Sequence, residues 1–167
     1  LEYENAVYQT MKAGLKATKL PVLLYNNASI MPNIPVAVMV RLANEFENFS
    51  GLKTNPFAQL PYEIQALKPL GVSIAKGLIE KEYVAALAMG CDGFIAPLGC
   101  GLPDRLNDLY DAFREGDLEK ANEIEHEFLP LVDMLYENGK STFYFPLKRY
   151  LMEARGFDVG GVRPPTF

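Results

Sequence analysis

Only two cysteines, Cys91 and Cys100, and one histidine, His126, occur in 167 residues. They lie at no zinc-binding spacing, so neither a metal centre nor a disulfide framework organises this chain, and no cofactor is expected. Idle thiols of this kind suit a reducing compartment. Basic residues are scarce as well: 16 lysines and arginines against 21 acidic residues give a formal charge of −5 and a pI near 5.0. Without a basic run there is nothing to displace the counterions of a phosphate backbone, which argues against nucleic acid and for small molecules or proteins as partners. The longest apolar runs, such as residues 20–25, fall far short of the ~20 residues that span a bilayer, and no signal-peptide pattern opens the chain. A cytoplasmic protein with no membrane partner is the expectation. The chain begins at Leu1, inside a helical pattern, which suggests a truncated or processed product.

What is present is the composition of an ordinary globular domain, 49% hydrophobic and 22% charged. Residues 4–17 place Ala6, Val7, Met11 and Leu15 at helical spacing, with Pro21 shortly after. Residues 21–25 form a short continuous apolar run stopped by Asn26-Asn27, the form of a strand buried on both faces. A helix follows over 35–46, where Pro35 suits a first turn and Val38, Leu42 and Phe46 recur every fourth residue. The alternation continues with strands at 49–53, 71–75 and 93–96 and helices at 57–67 and 80–89. Strand starts are thus one βα unit apart, and a parallel sheet with helical crossovers follows. After Pro103 the strands stop; helices are predicted around 106–113, over 118–137 and over 143–154, with Gly116-Asp117 as a breaker. Four βα units fit either a small doubly wound domain or part of a (β/α)8 barrel, which takes about 250 residues. No glycine-rich phosphate motif follows the first strand, so a nucleotide fold loses ground.

Tyr25 and Lys53 are each a polar residue closing an apolar strand, one βα unit apart. Parallel pairing would set them about 5 Å apart on one rim, the C-terminal rim where α/β active sites form. A desolvated lysine there can attack a ketone to give a Schiff base, with the tyrosine hydroxyl relaying protons. Spacing alone also admits a plain reading, in which Lys53 is an exposed lysine after a strand and Tyr25 a core aromatic. Other residues carry no chemical signal. Residues 123–127, with Glu123, Glu125, His126 and Glu127, read as a solvated helix face rather than a metal site, and residues 143–145 as packing for the last helix.

Four motifs in order, Pro21-Val22-Leu23-Leu24-Tyr25-Asn26, Ser50-Gly51-Leu52-Lys53-Thr54, Gly90-Cys91-Asp92-Gly93-Phe94-Ile95 and Val162-Arg163-Pro164-Pro165, resemble the dihydrodipicolinate synthase and N-acetylneuraminate lyase family of class I aldolases. The resemblance covers essentially the whole chain and implies the C-terminal half of a TIM barrel, strands 5 to 8, with a three-helix extension. On that reading residues 1–102 are the second half of the barrel, and 103–167 are its eighth helix and the extension. Lys53 is implied as the Schiff-base lysine for pyruvate or a 2-keto acid, Tyr25 as the proton-moving tyrosine, and Gly77 and Ile95 as pocket residues. Ile30 stands near the position where dihydrodipicolinate synthases carry a carboxylate-binding arginine, which favours 2-keto-3-deoxy acids, handled by an aldolase or a dehydratase, over lysine biosynthesis. The family's first four strands, with the segments that hold the keto-acid carboxylate, are absent here. The resemblance therefore implies that activity requires that missing half, and that the chain alone could be a non-catalytic half barrel. It also implies a homo-oligomer, a dimer of dimers, with Phe128, Leu131, Leu135 and Phe143 as interface candidates.

Overall fold

Apolar residues between turn signals build the strands, and the computed structural model, which describes residues 2–78, 80–136 and 144–164, shows how they assemble. Helix α1 (Glu2–Lys16) leads into strand β1 (Val22–Asn26), then α2 (Val36–Glu45), β2 (Phe49–Thr54), α3 (Leu60–Leu67) and β3 (Ser73–Gly77). Helix α4 (Tyr83–Met89) and β4 (Gly93–Ile95) complete the alternation, and α5 (Pro103–Glu115), α6 (Leu118–Glu127), α7 (Leu129–Tyr136) and α8 (Tyr144–Ala154) follow. The sheet runs in the order β1-β2-β3-β4, with parallel β1–β2 and β2–β3 ladders.

The chain divides into two compact units, Leu1–Gly77 with Ala86–Phe94, and Leu78–Ala85 with Ile95–Phe167. In the first, the faces of α1, α2 and α3 bury Leu15, Met39, Leu42, Leu60 and Leu67 together with Leu52 and Ile74 of the strands. Burial alternates along β1 as a pleat requires, and β2 departs from alternation only at the buried pair Gly51-Leu52: Leu24 and Leu52 are in the core, while Leu23 is 50% exposed. β1 is therefore buried on one face only, not on both as its apolar run suggests. In the second unit, Leu98, Leu106, Leu109, Ala121, Ile124, Phe128, Val132 and Leu135 form the interior between α5, α6 and α7.

Several predicted boundaries move for identifiable reasons. Gly71 takes φ 79° to cap a 3-10 turn at Lys68–Leu70, which delays β3 to Ser73 and extends it through Lys76. The single helix expected over 118–137 divides at Phe128, because Pro130 cannot donate into a continuing helix and sits instead in the first turn of α7. Among the described residues four helices follow β4, where the periodicity alone predicts three. Phe128 and Leu135, expected at an interface between subunits, are 2% and 1% exposed within their own chain. Leu131 is half-buried, and Phe143 lies outside the described residues, as does part of the expected packing run at 143–145. Glu125 is also a correction: it is buried and accepts the Val84 N–H at 2.8 Å, so the acidic run of α6 is solvated only at Glu123, His126 and Glu127. No helix among the described residues is long and apolar enough to cross a membrane.

Candidate functional site

Parallel register brings the polar strand ends of the first unit into two rows. Tyr25 pairs with Lys53, and Lys53 with Ala75; one residue on, Asn26 pairs with Thr54, and Thr54 with Lys76. Because side chains alternate, the rows face opposite sides of the sheet.

The first row carries the reactive groups. Lys53 and Tyr25 are both half-buried, and the Lys53 Nζ lies 4.3 Å from the centroid of the Tyr25 ring, within cation–π range. Among the described residues no carboxylate pairs with Lys53. The Tyr25 oxygen accepts two amide hydrogen bonds, from Asn27 Nδ2 at 2.8 Å and from Asn55 Nδ2 at 3.1 Å. Asn27 is oriented by a turn, since its Oδ1 accepts from the Ser29 N–H at 3.3 Å and the Ser29 hydroxyl at 2.6 Å. Gly77 supplies the room for this row. A Cβ on it would fall 2.7 Å from the Lys53 Cε and closer still to Asn55 Oδ1. The missing side chain is what lets the lysine lie across the end of β3.

The second row is a buried polar network between the sheet and α3. Glu63, fully buried, accepts at one carboxylate oxygen from Asn26 Nδ2 at 3.0 Å, Thr54 Oγ1 at 3.1 Å and Gln59 Nε2 at 2.8 Å. Burial pushes its pKa up, against those hydrogen bonds and the nearby Lys76 charge. Lys76 is itself fully buried, and its ammonium donates to the backbone carbonyls of Gly77 at 2.7 Å and Asn55 at 3.1 Å. Those carbonyls belong to the residues flanking the Lys53 side chain. A buried ammonium thus ties together the ends of β2 and β3.

Of the four residues singled out from sequence, Tyr25, Lys53 and Gly77 come together in the first unit. Ile95 ends β4 in the second unit, where it is 43% exposed. Ile30, near the expected arginine position, is 72% exposed. Sequence reading passed over Asn27, Asn55 and Lys76. A signal for the asparagines existed, because Tyr25-x-Asn27 and Lys53-x-Asn55 share the spacing that returns a side chain to the same face of a strand. Cys91 is buried, and burial pushes its thiol up to about 11, so it is a protonated packing group; Cys100 is exposed, and both are free. Among the described residues no three His, Cys, Asp or Glu side chains converge as metal ligands.

Chemically, the first row offers one primary amine, one phenol and two amides around a cleared strand end. An amine so placed can add to a carbonyl carbon, and a phenol beside it can deliver or take up the protons of that addition.

Comparison with known proteins gives this arrangement a context. The model of the Dihydrodipicolinate synthetase family matches residues 3–167. A 4-hydroxy-tetrahydrodipicolinate synthase of Streptococcus pneumoniae (strain Taiwan19F-14) is 29% identical over 164 residues, which are 97% of this chain and 50% of the synthase. Among solved structures, the prophage protein YagE from E. coli K12, a dihydrodipicolinic acid synthase family member determined in complex with pyruvate, superposes with a TM-score of 0.84 at 24% identity. That match covers 97% of this chain and 55% of YagE. A 2-keto 3-deoxygluconate aldolase from Picrophilus torridus gives a TM-score of 0.81 at 20% identity, over 98% of this chain and 58% of the aldolase. The two structural likenesses show a shared α/β fold. The chain spans about half the length of the relatives it matches.

Proposed function

The chain belongs to the dihydrodipicolinate synthetase family, and on that premise we propose that the protein it forms part of is a Schiff-base class I aldolase or lyase acting on pyruvate or a 2-keto-3-deoxy acid. The fold is then the C-terminal half of a (β/α)8 barrel, with residues 1–102 its last four βα strands and 103–167 its eighth helix and helical extension. The observation that carries the reading is the register pair Tyr25–Lys53, with the lysine Nζ 4.3 Å over the phenol ring and Gly77 clearing the strand end beside it.

In the proposed reaction the neutral Lys53 amine adds to the keto carbon, forming a C–N bond and a carbinolamine. Loss of water gives a protonated imine, in which the C=N⁺ group is an electron sink. The bond between the third and fourth substrate carbons then breaks, its electron pair moving into the imine to leave a neutral enamine, and the aldehyde departs as its hydroxyl proton is removed. No free carbanion forms, which is the source of the rate gain. Tyr25 is the group that moves the protons. The keto-acid carboxylate is held by the half of the barrel outside this chain, and the whole assembles as a homo-oligomer. The apolar Ile30 near the position where an arginine would serve dihydrodipicolinate synthesis favours sugar-acid substrates. Gly77, beside the Lys53 stem, is assigned to the pocket.

The test is borohydride reduction in the presence of pyruvate, with intact mass and peptide mapping of the full-length protein. One reduced pyruvyl group on Lys53 is the expected product. A full-length, folded protein that gives no adduct overturns the mechanism. Lys53→Ala should abolish both trapping and turnover, and Tyr25→Phe should slow turnover about 10²- to 10⁴-fold while leaving thermal stability nearly unchanged.

A further inference from the structure

We propose that Asn27 and Asn55 are positioning residues that hold the Tyr25 hydroxyl as a proton donor, by occupying its oxygen from two sides with amide N–H groups. The inference rests on the Lys53–Tyr25 reading and adds the groups that set the direction of proton transfer within it.

Two facts carry it. The Tyr25 oxygen accepts from Asn27 Nδ2 at 2.8 Å and from Asn55 Nδ2 at 3.1 Å, and among the described residues its own hydrogen is given to no acceptor. A phenol oxygen has two acceptor positions and one proton. With both positions filled by donors, only the proton is left to offer, and a phenolate left behind would keep both N–H bonds. Both residues are anchored from elsewhere, Asn27 through its amide and Asn55 through its backbone. The Asn27 Oδ1 takes the Ser29 N–H and hydroxyl, which fixes the amide with its nitrogen toward Tyr25. Asn55 is pinned through its backbone on both sides, its N–H donating to the Asn26 carbonyl at 2.9 Å and its carbonyl accepting the buried Lys76 ammonium at 3.1 Å. The Asn27 amide does not have to reorganise when the proton leaves, which is the condition for preorganised stabilisation of a charge that appears only in the transition state, whereas the Asn55 amide oxygen lies beside Gly77, buried and with no hydrogen-bond partner among the described residues.

The step served is dehydration of the carbinolamine. The C–O bond breaks, the nitrogen lone pair forms C=N, the Tyr25 proton joins the departing oxygen to give water, and the phenolate keeps the negative charge between the two amides. The phenolate regains its proton from the carbon next to the imine as the enamine forms, or from water when water adds to the imine by the reverse path.

Asparagine to aspartate is a nearly isosteric change that puts an acceptor where the donor was. In the full-length protein, Asn55→Asp and, separately, Asn27→Asp should bind the Tyr25 proton, repel the phenolate and lower the first-order rate of borohydride-trapped pyruvate imine formation by about 10²-fold or more. Asn55→Ala removes one donor, keeps the backbone bonds that pin the strand end, and should cost about tenfold. Half-saturating pyruvate should move by less than about twofold in all three, since the amides act on the chemical step. In a Tyr25→Phe background the same substitutions should cost no further rate, because their target is gone. Folded variants that keep the parental rate, or that lose as much in the Tyr25→Phe background, overturn the inference while leaving the Lys53 reading standing. Absence of trapping in the unsubstituted protein removes both.

Discussion

A side chain at position 77 would occupy the space that the Lys53 stem uses, since a Cβ there falls 2.7 Å from Cε. The β2–β3 ladder is paired up to the preceding residue, Lys76, so the backbone cannot retreat far and the lysine would have to turn away. Gly77→Ala is therefore expected to lower imine formation with pyruvate about 10²-fold through misplacement of the amine, while overpacking lowers stability by about 1–3 kcal/mol. Trapping rates measured beside a urea denaturation curve separate the two effects. A parental trapping rate in Gly77→Ala would mean that Lys53 does not lie across β3 when it reacts. Tyr25 and Lys53 were legible in sequence because each closes an apolar strand, and Gly77 entered only through the family resemblance. Lys76 was not, because a lysine after Ser-Ile-Ala reads as a strand end meeting solvent. Its burial is supported by the Asn55 and Gly77 carbonyls and by the Glu63 charge on α3, and Asn55 and Glu63 are distant from it in sequence. Such a cation is retained inside when every donor finds an acceptor and a negative charge is near.

Among the elements, α1 and α2 are joined by a polar cluster at their solvent-facing edge, with only Tyr8 buried. Glu45 accepts the Tyr8 hydroxyl at 2.5 Å, the Arg41 guanidinium at 3.0 Å and the Lys12 ammonium at 3.5 Å, and Arg41 stacks 3.5 Å from the Tyr8 ring centroid. The Tyr8 hydroxyl and the Arg41 guanidinium hold the Glu45 carboxyl down at about 2. A carboxylate whose folded pKa lies below its unfolded value of 4.5 stabilises the fold above pH 4.5, and that contribution is lost as pH falls from 4.5 toward 2. Thermal unfolding followed across this window should show the acid limb, and Glu45→Gln should flatten it while lowering the melting temperature at pH 7. An unchanged limb in Glu45→Gln would assign the acid transition to other carboxylates. The order of elements was readable from periodicity, and the first three strands lie within two residues of their predicted starts, the fourth on its start. The misses share one physical origin, the local backbone requirement of a single residue: left-handed Gly71 delaying β3, and Pro130 dividing α6 from α7. Periodicity averages over a window and does not register such single-residue breaks.

At the scale of the whole molecule, β1 ends the sheet order among the described residues, which leave its outer edge unpaired beside Leu23, 50% exposed, with Leu20 close by in sequence at 71%. A flat apolar edge of this kind pairs with whatever chain offers a complementary strand. In the proposed full barrel the preceding strands cover it. For the isolated 167-residue chain, another copy is the available cover. Sedimentation velocity of that chain should therefore show concentration-dependent association, and Leu23→Lys, which sets a charge on the open face, should shift it toward the 18.6 kDa monomer. The substitution lies on the same face as Tyr25 but on the far side of Leu24, so the polar network at the strand ends should keep its stability in urea. A chain that stays monomeric at every concentration would mean that the β1 edge is already satisfied within these residues, and the argument that a second barrel half must cover it would fail with it.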